Sequence, residues 1–206
     1  MALVKYNNNS ISAVTSAASI PSGAMTLIKT LTASSSSTLS FVNGSSDVVL
    51  DSTYPIYKFV YTSIHAATEG AAFQFNMTLN GSDYNVTKTT TFFEALHNES
   101  GSASNLTYET GEDLAQGTGF QNLIRNFGNG NDECASGELM LFNPSSTTFV
   151  KHFISRSSGH HQSDYNLHEF VAGYGNTTSA VTGVRFQMNS GNIDAGTIKL
   201  YGIKDS

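Results

Sequence analysis

Four of the six histidines, His152, His160, His161 and His168, fall within 17 positions. Imidazole and carboxylate together suit first-row divalent metals. His160, His161 and Asp164 are the candidate ligands. A zinc ion needs ligands that converge tetrahedrally, whereas adjacent side chains on an extended strand point apart. His160 and His161 are therefore not expected to share one ion within a chain, although a threefold axis would gather copies from several subunits. The flanking Ser157-Ser158-Gly159 and Gln162-Ser163-Asp164 read as loop. Glu109, Glu112, Asp113, Asp132 and Glu133 offer calcium-type oxygens without the spacing of an EF-hand. Glycoside cleavage needs two carboxylates across a cleft, and nothing in the sequence selects a pair. No Gly-x-Ser-x-Gly elbow is present. Gly128-Asn129-Gly130 lacks the lysine of a phosphate loop and reads as a turn. Cys134, the only cysteine, has no intrachain partner. The expectation is a chain without catalytic residues, bound metal or cofactor.

A second chemistry is recognition. Tyr84, Tyr108, Tyr165 and Tyr174 sit in or near loop-like stretches with Asn and Asp neighbours. Aromatic rings with polar tips suit sugar surfaces and subunit interfaces alike. Asn-x-Ser/Thr triplets at Asn43, Asn76, Asn80, Asn85, Asn98, Asn105 and Asn176 read as polar strand faces and loops.

These side chains must be carried by strands. Phe73, Phe75, Met77 and Leu79 alternate with Gln74, Asn76 and Thr78, the period-two pattern of a half-buried strand. Met25–Thr32, Ser37–Val42, Val48–Leu50, Ile56–Ser63, Asn85–Phe93, Glu138–Phe142, Thr148–Ser155, Leu167–Tyr174, Val181–Met188 and Thr197–Ile203 add further candidates. Asn43-Gly44 and Asn80-Gly81 are hairpin-type turn signals. Glu94–Gln116 reads mostly as loop. Phe120, Leu123, Ile124 and Phe127 have helical spacing, which allows one short helix. The expectation is an all-β, antiparallel, jelly-roll-like β-sandwich of about ten strands. Residues 23–206 form its single domain, and residues 1–22 form an extended N-terminal docking arm.

The chain has 206 residues, a net charge of −6 and only 13% charged residues, about half the usual share. Its ten Lys and Arg residues are scattered, which argues against nucleic acid or an anionic membrane as partner. No run of 18 apolar residues predicts membrane insertion, and no signal peptide is visible.

The stretch from Ser190 to Ile203, SGNIDAGTIKLYGI, resembles a C-terminal strand signature of phage tail and other virion proteins, Ala-Gly-Thr-x-x-Leu-Tyr-Gly. Most of the chain resembles a family of structural proteins from marine phages, cyanophages and pelagiphage-like phages among them. NVTKTTTFF at Asn85–Phe93 and FNPSSTTFVKHF at Phe142–Phe153 carry that likeness. The resemblance implies a non-enzymatic virion protein, made in the host bacterial cytoplasm, and supplies no catalytic residues. A tail-fibre or host-attachment module is expected first, with a host surface glycan as its ligand. A head decoration or cement protein is the alternative, and a carbohydrate-degrading tail enzyme a more remote one. Its partners would be its own copies, as a homotrimer, and other virion proteins. Within the motif, Ala195-Gly196 is expected to turn the chain into the last strand. Ile198 and Leu200 face one way and Tyr201 the other, and all three are candidates for subunit contact.

Overall fold

The computed structural model describes residues 24–204. The expected arm, residues 1–22, lies outside them. Twelve antiparallel strands form: β1 (Met25–Thr32), β2 (Thr38–Val42), β3 (Ile56–Ala66), β4 (Ala71–Thr78), β5 (Lys88–Asn98), β6 (Ser104–Tyr108), β7 (Gln121–Phe127), β8 (Ala135–Phe142), β9 (Lys151–His161), β10 (Tyr165–Gly175), β11 (Gly183–Met188) and β12 (Ile193–Ile203). No helix occurs among the described residues.

Eight of the strands pair as nested partners: β1 with β12, β2 with β11, β3 with β8, and β4 with β7. They lie in two four-stranded layers ordered β1-β12-β3-β8 and β2-β11-β4-β7. One long hairpin rolled over itself gives this order, which is that of a jelly roll. The other four strands arrive as two inserted hairpins, β5–β6 between β4 and β7, and β9–β10 between β8 and β11. β5 pairs with β10, and β9 pairs with β8, so the first layer grows to eight strands. A single bridge, Phe127 to His161, joins the layers and nearly closes the sheet into a barrel.

The core lies between the layers because each strand turns alternate apolar side chains inward. Phe186 of β11 meets Phe41, Phe59 and Phe73 with ring centroids 6.3, 5.3 and 5.6 Å away. Phe75 meets Phe153 edge-on at 4.8 Å. Fully burying each such side chain contributes about 1.5–3 kcal/mol.

Several expectations change. The helix-like spacing in β7 comes from two irregularities: opposite β4, an extra residue enters β7 between Asn122 and Ile124 and another between Ile124 and Phe127. Each extra residue shifts the inward phase by one, so Leu123, Ile124 and Phe127 are all buried in a strand. Asn76 and Thr78 are buried too, so β4 is covered on both faces. Val48 and Leu50 are buried without being in a strand, and Glu94–Tyr108, read as loop, supplies the end of β5 and all of β6. Gly196 does not turn the chain. It sits inside β12 with φ 119°, at a bulge where a Cβ would press on the Ser63 carbonyl.

Candidate functional site

The outer face of the large layer is the first candidate. Alternation and register place Leu27, Tyr201, Lys58, Met140, Ile154 and Ala172 side by side across six strands. One row below, Val60, Glu138, Arg156, Phe170, Phe93 and Tyr108 continue to the β6 edge. Phe93 and Phe170 stack with centroids 4.8 Å apart. Between them and Ile154, the small Ala172 leaves a groove of about 350 Å³, walled by Met140 and Arg156. A second groove of about 450 Å³ runs beside Tyr174, His152 and Thr91. Polar contacts on this face include the Lys58–Glu138 ion pair at 2.6 Å. Ile198 and Leu200 point the other way and are fully buried in the core of the single chain. Of the three residues expected at subunit contacts, Tyr201 alone reaches the outer face.

A second feature lies inside the annex made by the two hairpins. Arg125 of β7 reaches Glu94 at 2.9 Å, Glu109 at 3.1 Å, Glu169 at 3.6 Å and Glu112 at 3.9 Å. Glu94 and Glu169 stand directly opposite each other on β5 and β10. Like charges so placed repel, and Glu169 has no exposure at all. Burial first, and the Glu94 charge second, push the Glu169 carboxyl well above the usual carboxylate range. Arg125 offsets part of this, and its backbone N–H donates to Glu169 Oε2 at 3.0 Å. Sealed from water, Glu169 cannot pass a proton to a substrate. The cluster fastens β7 to β5, β10 and the chain after β6. None of Glu94, Arg125 or Glu169 was singled out from the sequence. The available signal was a carboxylate in phase with Phe92 and Leu96, and another in phase with Leu167 and Val171.

Beside the cluster opens a cleft of about 400 Å³, lined among others by Glu94, Arg125, Asn105, Asn126, His161 and Tyr165. The His161 and Tyr165 rings meet edge-on at 5.5 Å. Burial, first among several influences, holds His161 below the usual histidine range.

The four tyrosines do not form one surface. Tyr84 is buried, with the Arg185 guanidinium 3.8 Å from its ring centre. Tyr108 lies at the outer edge and donates to Asp113 at 2.6 Å. Tyr165 lines the cleft, and Tyr174 lies nine residues away at the other end of β10.

The histidine segment is strand, not loop: Ser157–His161 ends β9. His160 and His161 project to opposite faces, as the strand argument requires. His160 meets Glu133 and Glu99, through Nδ1–Oε1 at 3.1 Å and Nε2–Oε1 at 3.4 Å. Asp164, on the β9–β10 turn, joins His160 and Glu133. His161 turns into the cleft.

Comparison with protein-family models, curated proteins and solved structures returned no match for the chain.

Proposed function

We propose that the chain is a non-enzymatic structural protein on the exterior of a bacteriophage particle, assembled with its own copies through the outer face of the large layer. The observation that carries this reading is where exposed apolar groups fall. Of the eight large hydrophobic residues exposed among the described residues, Met25, Leu27, Phe93, Leu106, Tyr108 and Ile154 belong to that one face. Eight strands about 4.8 Å apart span roughly 34 Å, and three same-face rows cover roughly 15–20 Å along them. The product, about 500–700 Å², is the area of the whole face, its apolar groups interleaved with Lys58, Glu138 and Arg156. It approaches the ~800 Å² that each partner gives to a standard interface. A second copy is the occupant proposed for such a face, in a closed homotrimer.

Within this reading a tail-fibre or host-attachment role comes first. The cleft beside Arg125 combines the Tyr165 ring, the Asn105 and Asn126 amides and a charged pair, a lining that suits a host surface glycan. Head decoration is the second reading, favoured by the breadth of the apolar face, which suits a lattice contact.

The test is the mass of the full chain in solution by light scattering. An oligomer is expected at micromolar concentration, with Ile154→Glu and Phe93→Glu reduced to monomers of unchanged circular dichroism. A monomeric wild-type chain, or variants that still assemble, would remove the assembly reading. Gold labelling of particles for this chain separates tail from head, and particles lacking it would end the virion assignment.

A further inference from the structure

Glu133, on the approach to β8, His160, near the end of β9, and Asp164, on the β9–β10 turn, each offer one ligand atom, and the three atoms lie within 4.8 Å of one another. We propose that these three residues form a site for a first-row divalent cation of the zinc class.

The geometry is part-way built. His160 Nδ1 and Glu133 Oε1 stand 3.1 Å apart. Two ligands bound at ~2.1 Å to one tetrahedral ion stand about 3.4 Å apart. That nitrogen is buried and makes no hydrogen bond in the fold, although a buried polar atom ordinarily has a partner. The opposite ring nitrogen, Nε2, faces Glu99 Oε1 at 3.4 Å. Once Glu133 is engaged by an ion, Glu99 is the carboxylate left behind the imidazole, where it holds the N–H on its own side and fixes the tautomer. With the proton on Nε2, Nδ1 carries a lone pair that no donor in the fold occupies, and it is free for a metal.

Glu133 is held in advance. Its Oε2 accepts the Gly130 N–H at 2.5 Å, and a Cβ at Gly128 would overlap the carboxylate. The two glycines therefore make room for this side chain, and its Oε1 stays directed at His160. Asp164 is exposed on the turn and free to swing through the remaining distance. Two carboxylates and one neutral imidazole carry a charge of −2, which a divalent ion neutralises. One nitrogen with two oxygens favours zinc over calcium, since calcium takes six or more oxygen ligands. Three protein ligands leave a position for water. The site lies within one chain, so it does not depend on the assembly reading.

The experiment uses the full chain, free of any histidine tag and stripped with chelator, titrated with zinc chloride by calorimetry and followed by thermal melting. One zinc per chain is expected. At a hundredfold excess over Kd, the melting temperature should rise by roughly 5 °C or more. Glu133→Gln, which keeps the shape, and His160→Ala should each weaken binding at least tenfold. His161→Ala, on the opposite face, should bind as the wild type does. No stoichiometric uptake, uptake unchanged in both Glu133→Gln and His160→Ala, or loss in His161→Ala alone would overturn the site. In that case His160 is simply an imidazole shared between two carboxylates.

Discussion

Lys88 is fully buried at the start of β5. Its Nζ donates to Asn76 Oδ1 at 2.6 Å and to the Val86 carbonyl at 2.7 Å, with no carboxylate among its hydrogen-bond partners. Burial pushes its ammonium down to about 7 from 10.5. In the unfolded chain the amine takes up its proton near 10.5, and in the fold it does so only near 7. Between those values the unfolded chain holds the additional proton, so stability should rise with pH across the window and level off below about 7. The slope is about 1.4 kcal/mol per pH unit, and the full span amounts to about 5 kcal/mol. The variant Lys88→Met keeps the stem and removes the titration. Asn76 Oδ1 retains the Met77 N–H at 2.8 Å, and the lost partner of the Val86 carbonyl adds a cost that does not vary with pH. Lys151, which flanks Gly175 from the opposite side, is common to both proteins. The difference in unfolding free energy, wild type minus Lys88→Met, should therefore increase by roughly 2–3 kcal/mol between about pH 7.5 and 9.5. Urea unfolding at each pH reads this as a relative midpoint shift of about 1 M, taking a slope of 2–3 kcal/mol/M. Parallel profiles would refute the reasoning. A difference that grew toward low pH would show Lys88 charged and favourably paired in the fold.

Glu169→Gln should leave the protein at least as stable as wild type near pH 7, because the raised carboxyl makes the wild type lose stability as pH climbs above the ordinary 4.5. That advantage should fade toward pH 4 in urea unfolding, and a large loss at neutral pH would show that the charge is needed. Tyr61→Phe keeps the edge contact with Phe73 at 5.2 Å but removes the hydroxyl shared with Ser155 and Ser157. It should cost about 1–3 kcal/mol, read as a lowered melting temperature by calorimetry, and no loss would mean that the two serines satisfy each other.

The frame was legible wherever inward and outward residues alternate without interruption. β4, β11 and β12 declare themselves through Phe73-x-Phe75-x-Met77, Val184-x-Phe186-x-Met188 and Ile198-x-Leu200, and all eight inward side chains are buried. The rhythm is lost where phase breaks. β7 imitates a helix because two extra residues shift its inward face, and Gly196 imitates a turn because a bulge needs the same backbone freedom. β6 escaped because all its residues but Thr107 are exposed, which leaves no apolar rhythm to read. The site was less legible still. His160, Asp164 and Glu133 were each visible as ligand types, but Glu133 lies 27 positions before His160 and meets it only because β8 pairs with β9. The opposition of Glu94 and Glu169 belongs to strand pairing, which a single sequence does not disclose.

The nesting of the eight frame strands, with both extra hairpins threaded in as detours, separates two kinds of freedom. Inward residues of the detours, Phe92, Phe153 and Val171 among them, belong to the common core, and β9 stays fixed on β8. Their outward residues answer mainly to each other, so these can be exchanged while the rolled hairpin beneath keeps its partners. The molecule is in that sense a fixed chassis with a replaceable panel. Variation in what it presents to its surroundings has an obvious place to accumulate, on the outward face of residues 88–108 and 151–175.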